Sequence, residues 1–333
     1  MTSTLFTGVL PAITTPFKDD DSIDPRALGH LVERMLAARC RGIITPGSLG
    51  EGSALSFDEK REIWKTCVAV ADDRAPVIAA IASGSTREAA ELARTAERVG
   101  CRGLMVLPPY VYRGDWTETR EHMSAICAAT ALPLILYNNP PAYGVDLLAH
   151  HVAELAGRHA NIEAVKDSSG DARRFPALKS ACGDRLQLLV GMDDCVVEGV
   201  RMGATGWVAG LVNALPEESV KLFEMARAEV TAEATGADRA ATERFYAWFL
   251  PLLRLDTVPK FVQLIKLVQQ ETRSGTERVR PPRRELVGAE RATAIALIRA
   301  ALAHRPTEQP VSARQSIQTH PRRAPSRRAR RLP

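Results

Sequence analysis

The sequence predicts an α/β chain, a (β/α)8 TIM barrel with a C-terminal helical domain and a disordered basic tail, and three observations predict it. Eight short apolar runs recur at a spacing of about 25 to 30 residues, at 9–13, 42–45, 77–81, 103–107, 134–137, 162–166, 186–190 and 206–209. Each is followed by a small or polar turn and then a longer amphipathic stretch. After Pro216 the strand pattern stops and only helical patterns follow. Near-continuous apolar strands alternating with helices specify a parallel sheet covered on its outer side. Eight such units close into a barrel whose site lies at the C-terminal ends of the strands. An open doubly wound sheet is the competing architecture, but the chain carries neither a dinucleotide GxGxxG nor a GxxxxGK[ST] phosphate loop.

Taken in order, the first run leads into a helical pattern at 25–38, and the second ends in a glycine-rich loop before a helix at 56–71. The third precedes a helix at 86–99 and the fourth a helix at 118–130, several of these opening on a Ser, Thr or Asp cap. The fifth run ends at Tyr137 and opens into a loop at Asn138. The sixth ends at Lys166, followed at once by Asp167, Ser168, Ser169 and Gly170, and the seventh runs into Gly191, Asp193 and Asp194. The eighth closes the series. Helical segments at 217–235, 238–254, 258–271 and 286–303 then form an appendage, which divides the chain into a barrel (1–216), a helical domain (217–305) and a tail (306–333).

Composition narrows the function. The net charge of +5 hints at nucleic acid until it is located: seven arginines against one glutamate fall within 306–333, so the remainder is near neutral. A nucleic-acid surface needs a basic face on structured elements, and small molecules are the expected partners. The tail, rich in Pro, Ser, Gln and Arg with almost nothing to bury, reads as disordered. Six cysteines, at 40, 67, 101, 127, 182 and 195, form no CxxC pair and read as reduced core residues. No segment approaches 18 uninterrupted apolar residues, and the N-terminus lacks a basic region followed by a long apolar stretch, so a cytoplasmic protein without a membrane partner is expected.

Lys166 carries the chemistry. A primary amine held in an apolar pocket sheds its proton and condenses with the carbonyl of a 2-oxo acid, whereas a free lysine with a pKa of about 10.4 is almost wholly protonated at neutral pH. Tyr137 ends the neighbouring strand, about 4.8 Å away in a parallel sheet, so the two side chains can meet in the barrel mouth. Imine formation needs proton transfers to and from a carbinolamine, which a phenol beside the amine can provide. The plain alternative is that Lys166 pairs with a carboxylate at the rim while Tyr137 fills the core. In a second element, the segment 42–53, a strand runs into a loop with glycines at 47, 50 and 52. Its backbone N–H groups can gather around an anion, with Ser48 adding a hydroxyl, which reads as a cradle for the substrate carboxylate.

Other clusters carry less. His150, His151 and Glu154 share a helix without the i, i+4 histidine spacing of a metal pair and read as helix surface. Asp19, Asp20 and Asp21 read as a solvated turn, and Asp193 either touches substrate or caps a helix. No metal or cofactor is expected.

Five segments in one order, GSLGE at 47–51, LPLILYNNP at 132–140, IEAVKDSSGD at 162–171, LVGMDD at 189–194 and MGATGWVAGLVN at 202–213, resemble the dihydrodipicolinate synthase and N-acetylneuraminate lyase family of Schiff-base aldolases, over about residues 6 to 300. The resemblance implies a (β/α)8 barrel with a C-terminal helical domain, a homo-oligomer built as a dimer of dimers, and no cofactor. It makes Lys166 the imine-forming lysine, Tyr137 the proton relay, Gly47 and Ser48 the carboxylate cradle, and Val208 the strand-eight residue behind the imine. Two departures bear on substrate. Ala142 stands where true dihydrodipicolinate synthases carry an arginine for the aldehyde's carboxylate. Leu49 replaces the second hydroxyl residue of the glycine loop, which breaks the relay from Tyr137 to a tyrosine of the neighbouring chain; that tyrosine is Tyr110 here, or Tyr112.

The resulting expectation is a Schiff-base lyase, an aldolase or hydro-lyase, acting on a small hydroxylated 2-oxo acid or its cyclic imine. Leu49, Ala142, Tyr143 and Val208 shape the pocket. The subgroup resembles 4-hydroxy-2-oxoglutarate aldolase, sugar-acid dehydratases or pyrroline-4-hydroxy-2-carboxylate deaminase. The alternatives are 4-hydroxy-tetrahydrodipicolinate synthase and a non-catalytic barrel whose arginine tail binds a partner.

Overall fold

A computed structural model describes residues 5–110, 112–231 and 233–306. Among them are eight strands in one parallel sheet: β1 (Gly8–Pro11), β2 (Ile43–Thr45), β3 (Val77–Ile81), β4 (Gly103–Val106), β5 (Leu134–Asn138), β6 (Ile162–Asp167), β7 (Gln187–Val190) and β8 (Gly206–Ala209). Each falls on one of the eight apolar runs. The sheet runs β1-β8-β7-β6-β5-β4-β3-β2, and a bridge between Ala12 and Ile44, with the Ile13 N–H donating to the Ile44 carbonyl at 3.0 Å, joins its two edges into a barrel. The basic tail from 307 onward, read as disordered from its composition, lies outside the described residues.

Twelve helices surround the strands: α1 (Pro25–Ala37), α2 (Phe57–Ala71), α3 (Thr86–Arg98), α4 (Trp116–Ala128), α5 (Pro140–Tyr143), α6 (Ala149–Arg158), α7 (Arg174–Cys182), α8 (Val196–Arg201), α9 (Pro216–Glu229), α10 (Gly236–Leu253), α11 (Phe261–Glu271) and α12 (Gly288–Ala303). Their starts follow local capping chemistry. Ser56 and Glu59 form a reciprocal box at α2, and Asp115 with Glu118 does the same at α4, which therefore begins two residues before the sequence suggests. The division after 216 falls at the first residue of α9, which packs on α8 and β1 and so covers the barrel as its eighth outer helix. Helices α10, α11 and α12 pack on one another beyond it.

Strand alternation produces two cores. Val9, Ile43, Val77, Leu104, Leu136, Val165, Leu188 and Trp207 face outward against the helices. Leu10, Ile44, Ile78, Met105, Ile135, Ala164, Leu189 and Val208 fill the barrel interior. At β6 the alternation slips: Leu134 pairs with Ile162 but Ile135 with Ala164, so Glu163 is an extra residue in the ladder. Ile162 thus belongs to the outer core and Ala164 to the inner one. A bulge of this kind re-aims every side chain after it, and here it turns Lys166 inward, onto the face that Tyr137 occupies in β5.

Candidate functional site

At the C-terminal ends of the strands, Lys166 and Tyr137 are ladder partners, both buried, and the lysine Nζ lies 3.9 Å from the centre of the phenol ring. Among the described residues no carboxylate comes within ion-pair distance of that nitrogen. Space for the lysine depends on Gly191 at the end of β7, where a Cβ would fall 2.7 Å from Lys166 Cε and closer still to Ser168 Oγ. The strand ends are locked from outside. Asn138 Nδ2 donates to Asp167 Oδ2 at 2.8 Å, the Leu147 N–H donates to Asn138 Oδ1 at 2.8 Å, and Ser169 donates its N–H to Asp167 Oδ1 at 2.9 Å. Tyr137 itself accepts a hydrogen bond from Asn139 Nδ2 at 3.0 Å.

The loop after β2 stands across the barrel mouth. Gly47, Ser48 and Leu49 line the same cavity of about 590 Å³ as Lys166, Tyr137, Tyr143 and Val208. The N–H groups of Ser48 and Leu49 bond to no other described residue, which leaves them free to face an anion. Gly50 and Gly52 serve the turn, since a Cβ on either would approach the carbonyl of Ile13 or of Pro46 to 2.8 and 2.5 Å. Glu51, in a left-handed conformation with φ of 58° and no exposure, anchors the loop through an ion pair of 2.6 Å to Lys266 of α11.

Tyr143 lines the cavity and is also bonded within it. Its hydroxyl is hydrogen-bonded to Ser48 Oγ, and its ring meets that of Tyr137 edge-on at 5.8 Å. Burial, with Tyr137 alongside, pushes its phenol well above the usual range, so it stays protonated. A hydroxyl chain from Ser48 through Tyr143 toward Tyr137 therefore runs inside one chain, although Leu49 supplies no hydroxyl. Within its own chain Tyr110 lines the same pocket, with its ring 5.6 Å from that of Tyr143. Tyr112 is exposed and donates to Glu118.

The remaining sequence candidates separate. Asp193 is fully buried and accepts from the Trp207 indole (2.9 Å) and from the N–H groups of Gly210 and Leu211, so it holds the end of β8. Burial raises its carboxyl to about 6 against the pull of those donors and of Lys166. His150 and His151 lie on α6, where His151 stacks on Trp116 and Glu154 accepts from the Trp116 indole. Four cysteines are buried and two half-buried, all with free thiols. Among the described residues no helix is long and apolar enough to cross a membrane.

Three lining residues escaped the sequence reading. Lys60, on α2, is buried with its amine pushed down by burial, and Arg283 faces Glu51 at 3.9 Å from the far side of the cavity. Asp256 ends a 3-10 turn, Arg254–Asp256, between α10 and α11. These come from surface-type helix positions and inter-helix turns, where spacing carries no signal of a shared cavity.

Known proteins agree with this arrangement. A family model described as the dihydrodipicolinate synthetase family matches residues 5–301. A 4-hydroxy-tetrahydrodipicolinate synthase of Chelativorans sp. (strain BNC1) is 37% identical over 212 residues, 64% of this chain and 72% of that protein. The enzyme of the same name from Agrobacterium fabrum is 32% identical over 278 residues, 84% of this chain and 92% of the relative. Among solved structures, the 4-hydroxy-tetrahydrodipicolinate synthase of Methylacidiphilum fumariolicum SolV superposes with a TM-score of 0.81 at 27% identity, covering 89% of this chain and 97% of that one. A prophage protein of the dihydrodipicolinic acid synthase family from E. coli K12, solved in complex with pyruvate, superposes with a TM-score of 0.82 at 25% identity, covering 90% and 99%. With the motifs, the barrel and these likenesses extending over nearly its whole described length, the chain belongs to the dihydrodipicolinate synthetase family and is a lyase of that family.

Proposed function

We propose that Lys166 forms an imine with the carbonyl carbon of a small 2-oxo acid, pyruvate or a molecule containing its three-carbon unit. The observation that carries this reading is the buried pair of Lys166 Nζ and the Tyr137 ring at 3.9 Å in one cavity. The amine attacks C2, the carbinolamine loses water, and Tyr137 moves the protons that both steps require. The Gly47 to Leu49 turn takes the carboxylate through its N–H groups. Once protonated, the imine draws electrons from C3 and makes that carbon a carbanion equivalent. Condensation, aldol cleavage and loss of a hydroxyl from C4 all start from that state. We infer assembly as a homo-oligomer, a dimer of dimers, as the family resemblance implies.

Two finer readings divide on specific observations. The names of relatives at 32–37% identity favour 4-hydroxy-tetrahydrodipicolinate synthase, a condensation. Ala142 and Leu49 favour cleavage or dehydration of hydroxylated 2-oxo acids, since a second carboxylate would lack its arginine, a charge-assisted bond worth roughly 1.5 to 3 kcal/mol. Lys60 and Arg283, lining the same cavity, are the cations on which a dicarboxylic substrate would depend instead.

Borohydride reduction in the presence of pyruvate, read by intact mass and peptide mapping, tests the imine. One adduct on Lys166 is expected, and its absence with pyruvate and with every 4-hydroxy-2-oxo acid tried would remove the mechanism. Turnover of pyruvate with aspartate semialdehyde, set against turnover of 4-hydroxy-2-oxoglutarate and a 4,5-dihydroxy-2-oxopentanoate, then separates the two finer readings.

A further inference from the structure

Asp256 is a carboxyl with no evident structural task. It comes from outside the barrel, on the turn between α10 and α11, yet lines the cavity together with Lys166, Gly191 and Gly210. Its Oδ1 is sealed from water and has no hydrogen-bond partner. An unpartnered buried carboxyl oxygen costs on the order of 1 to 3 kcal/mol, so its retention calls for a use. Room for it is made by the backbone: at Gly210 a Cβ would fall 2.2 Å from Asp256 Oδ1, so any larger residue would displace the carboxyl.

The neighbours determine its protonation. Asp193 from the turn after β7 is satisfied by the Trp207 indole and two backbone N–H groups, an environment built for a carboxylate. Asp194 follows it and lies 4.0 Å from Arg254 on Asp256's own turn, and Lys166 is the cation that faces both acids from β6. Burial first, then the adjacent Asp193, holds the Asp256 carboxyl well above the usual carboxylate range. Of the two carboxyls, Asp193 has the donors that favour a charge and Asp256 Oδ1 has none, so Asp256 is the one favoured to hold a proton. A neutral carboxylic acid beside an imine-forming lysine is a proton donor to the substrate.

We propose that Asp256 is the acid that protonates the 4-hydroxyl of a 4-hydroxy-2-oxo acid as it departs, which makes the site a hydro-lyase. This rests on the imine reading above. The Tyr137 oxygen, having given its proton to the departing carbinolamine hydroxyl, takes one from C3 and turns the protonated imine into an enamine. The nitrogen lone pair then re-forms the C2=N bond, the C2=C3 pair moves to C3=C4, and the C4–O bond breaks with the proton of Asp256, releasing water and leaving the Asp256 carboxylate. Hydrolysis frees Lys166, and Asp256 recovers a proton from solvent. No oxidant or metal enters the balance. The same hydroxyl must lose its proton in aldol cleavage of the protonated imine, so a donor rather than an acceptor at this point directs the protonated imine toward elimination.

Asp256→Asn keeps shape and removes the acid. With a 4,5-dihydroxy-2-oxopentanoate, the parent is expected to yield the product lighter by one water, read by mass. Asp256→Asn should lower that rate by about 10²- to 10⁴-fold, while borohydride still traps the pyruvate adduct on Lys166 and the pyruvate methyl still exchanges with deuterated water. Gly210→Ala, which displaces the carboxyl without changing its chemistry, should reduce elimination in the same way and answers the question if the asparagine variant does not fold. Either variant eliminating at the parental rate, or a parent that only cleaves the substrate to pyruvate and an aldehyde, overturns the assignment. So does joint loss of adduct and elimination in Asp256→Asn, which would place the residue in imine formation. A parent that forms no adduct overturns the imine reading itself, and this assignment with it.

Discussion

The Lys166 amine stands over the face of the Tyr137 ring, 3.9 Å from its centre, on one step of the β5–β6 ladder. The phenol oxygen accepts a hydrogen bond from Asn139 Nδ2 at 3.0 Å. Tyr137→Phe keeps the ring and removes only the proton carrier. Turnover is expected to fall by about 10²- to 10⁴-fold, with the borohydride adduct still forming but more slowly, and Lys166→Met should form none. A Tyr137→Phe variant within a fewfold of the parent in kcat would reassign the relay.

Ser48 and Tyr143 are hydrogen-bonded within one chain, with the Tyr143 ring edge-on to that of Tyr137. Because the Tyr143 phenol is held protonated by burial and by Tyr137, it orients its neighbour's hydroxyl rather than acting as a base. Tyr143→Phe removes one hydrogen bond of about 1 kcal/mol, or about fivefold in rate. A smaller loss than in Tyr137→Phe is expected in steady-state kinetics, with the adduct mass unchanged.

Lys266 ties the glycine loop to α11. Its ammonium donates to Glu51 at 2.6 Å and to the Thr15 carbonyl at 2.8 Å, both buried, and to the part-buried Arg278 carbonyl at 2.7 Å. Burial pulls the amine's pKa down while Glu51 holds it up. Lys266→Met removes the 2.6 Å partner of the buried Glu51 and leaves it Arg283 at 3.9 Å and the Arg280 N–H at 3.0 Å, and breaking a buried pair costs up to about 3–5 kcal/mol. Urea unfolding should show this, and the double variant with Glu51→Gln should lose less than Lys266→Met alone.

His122, buried on α4, bonds Thr86 through Nδ1 at 2.9 Å while Nε2 has no partner. Burial lowers its pKa below the ordinary 6.5. As pH falls below 6.5 the unfolded chain takes up this proton before the folded one does, so stability is present above that value and is lost on descent through the folded pKa. Between about pH 7.5 and 5.5, urea midpoints should fall further in the parent than in His122→Gln. Equal falls would show that the ring titrates normally.

The barrel was legible because its strands are buried on both faces. Such strands read as unbroken apolar runs, and Leu134 to Leu136 or Val77 to Ile81 can be little else at that length. The placement of Lys166, Tyr137 and the Gly47–Ser48 turn at strand ends around one cavity was legible for a related reason: polar residues that close apolar runs fall on one rim of a barrel. Helix α9 was not assigned to the barrel, since an amphipathic helix covering β1 and one packing on other helices carry the same pattern.

What the sequence by itself determined is the period: eight strands, their order, and a lysine and a tyrosine on adjacent strand ends. What only the tertiary structure decided is direction and company. The extra residue at Glu163 flips the parity of β6 and turns Lys166 inward, an effect of pairing with β5 that no single strand records. Tyr143, Lys266 and Asp256 join the site across 95, 215 and 46 residues of chain from Ser48, Glu51 and Gly210. Side chains that meet through a closed barrel and a docked helix leave no local spacing to read, because their contact depends on burial of the whole fold rather than on the period of any one element.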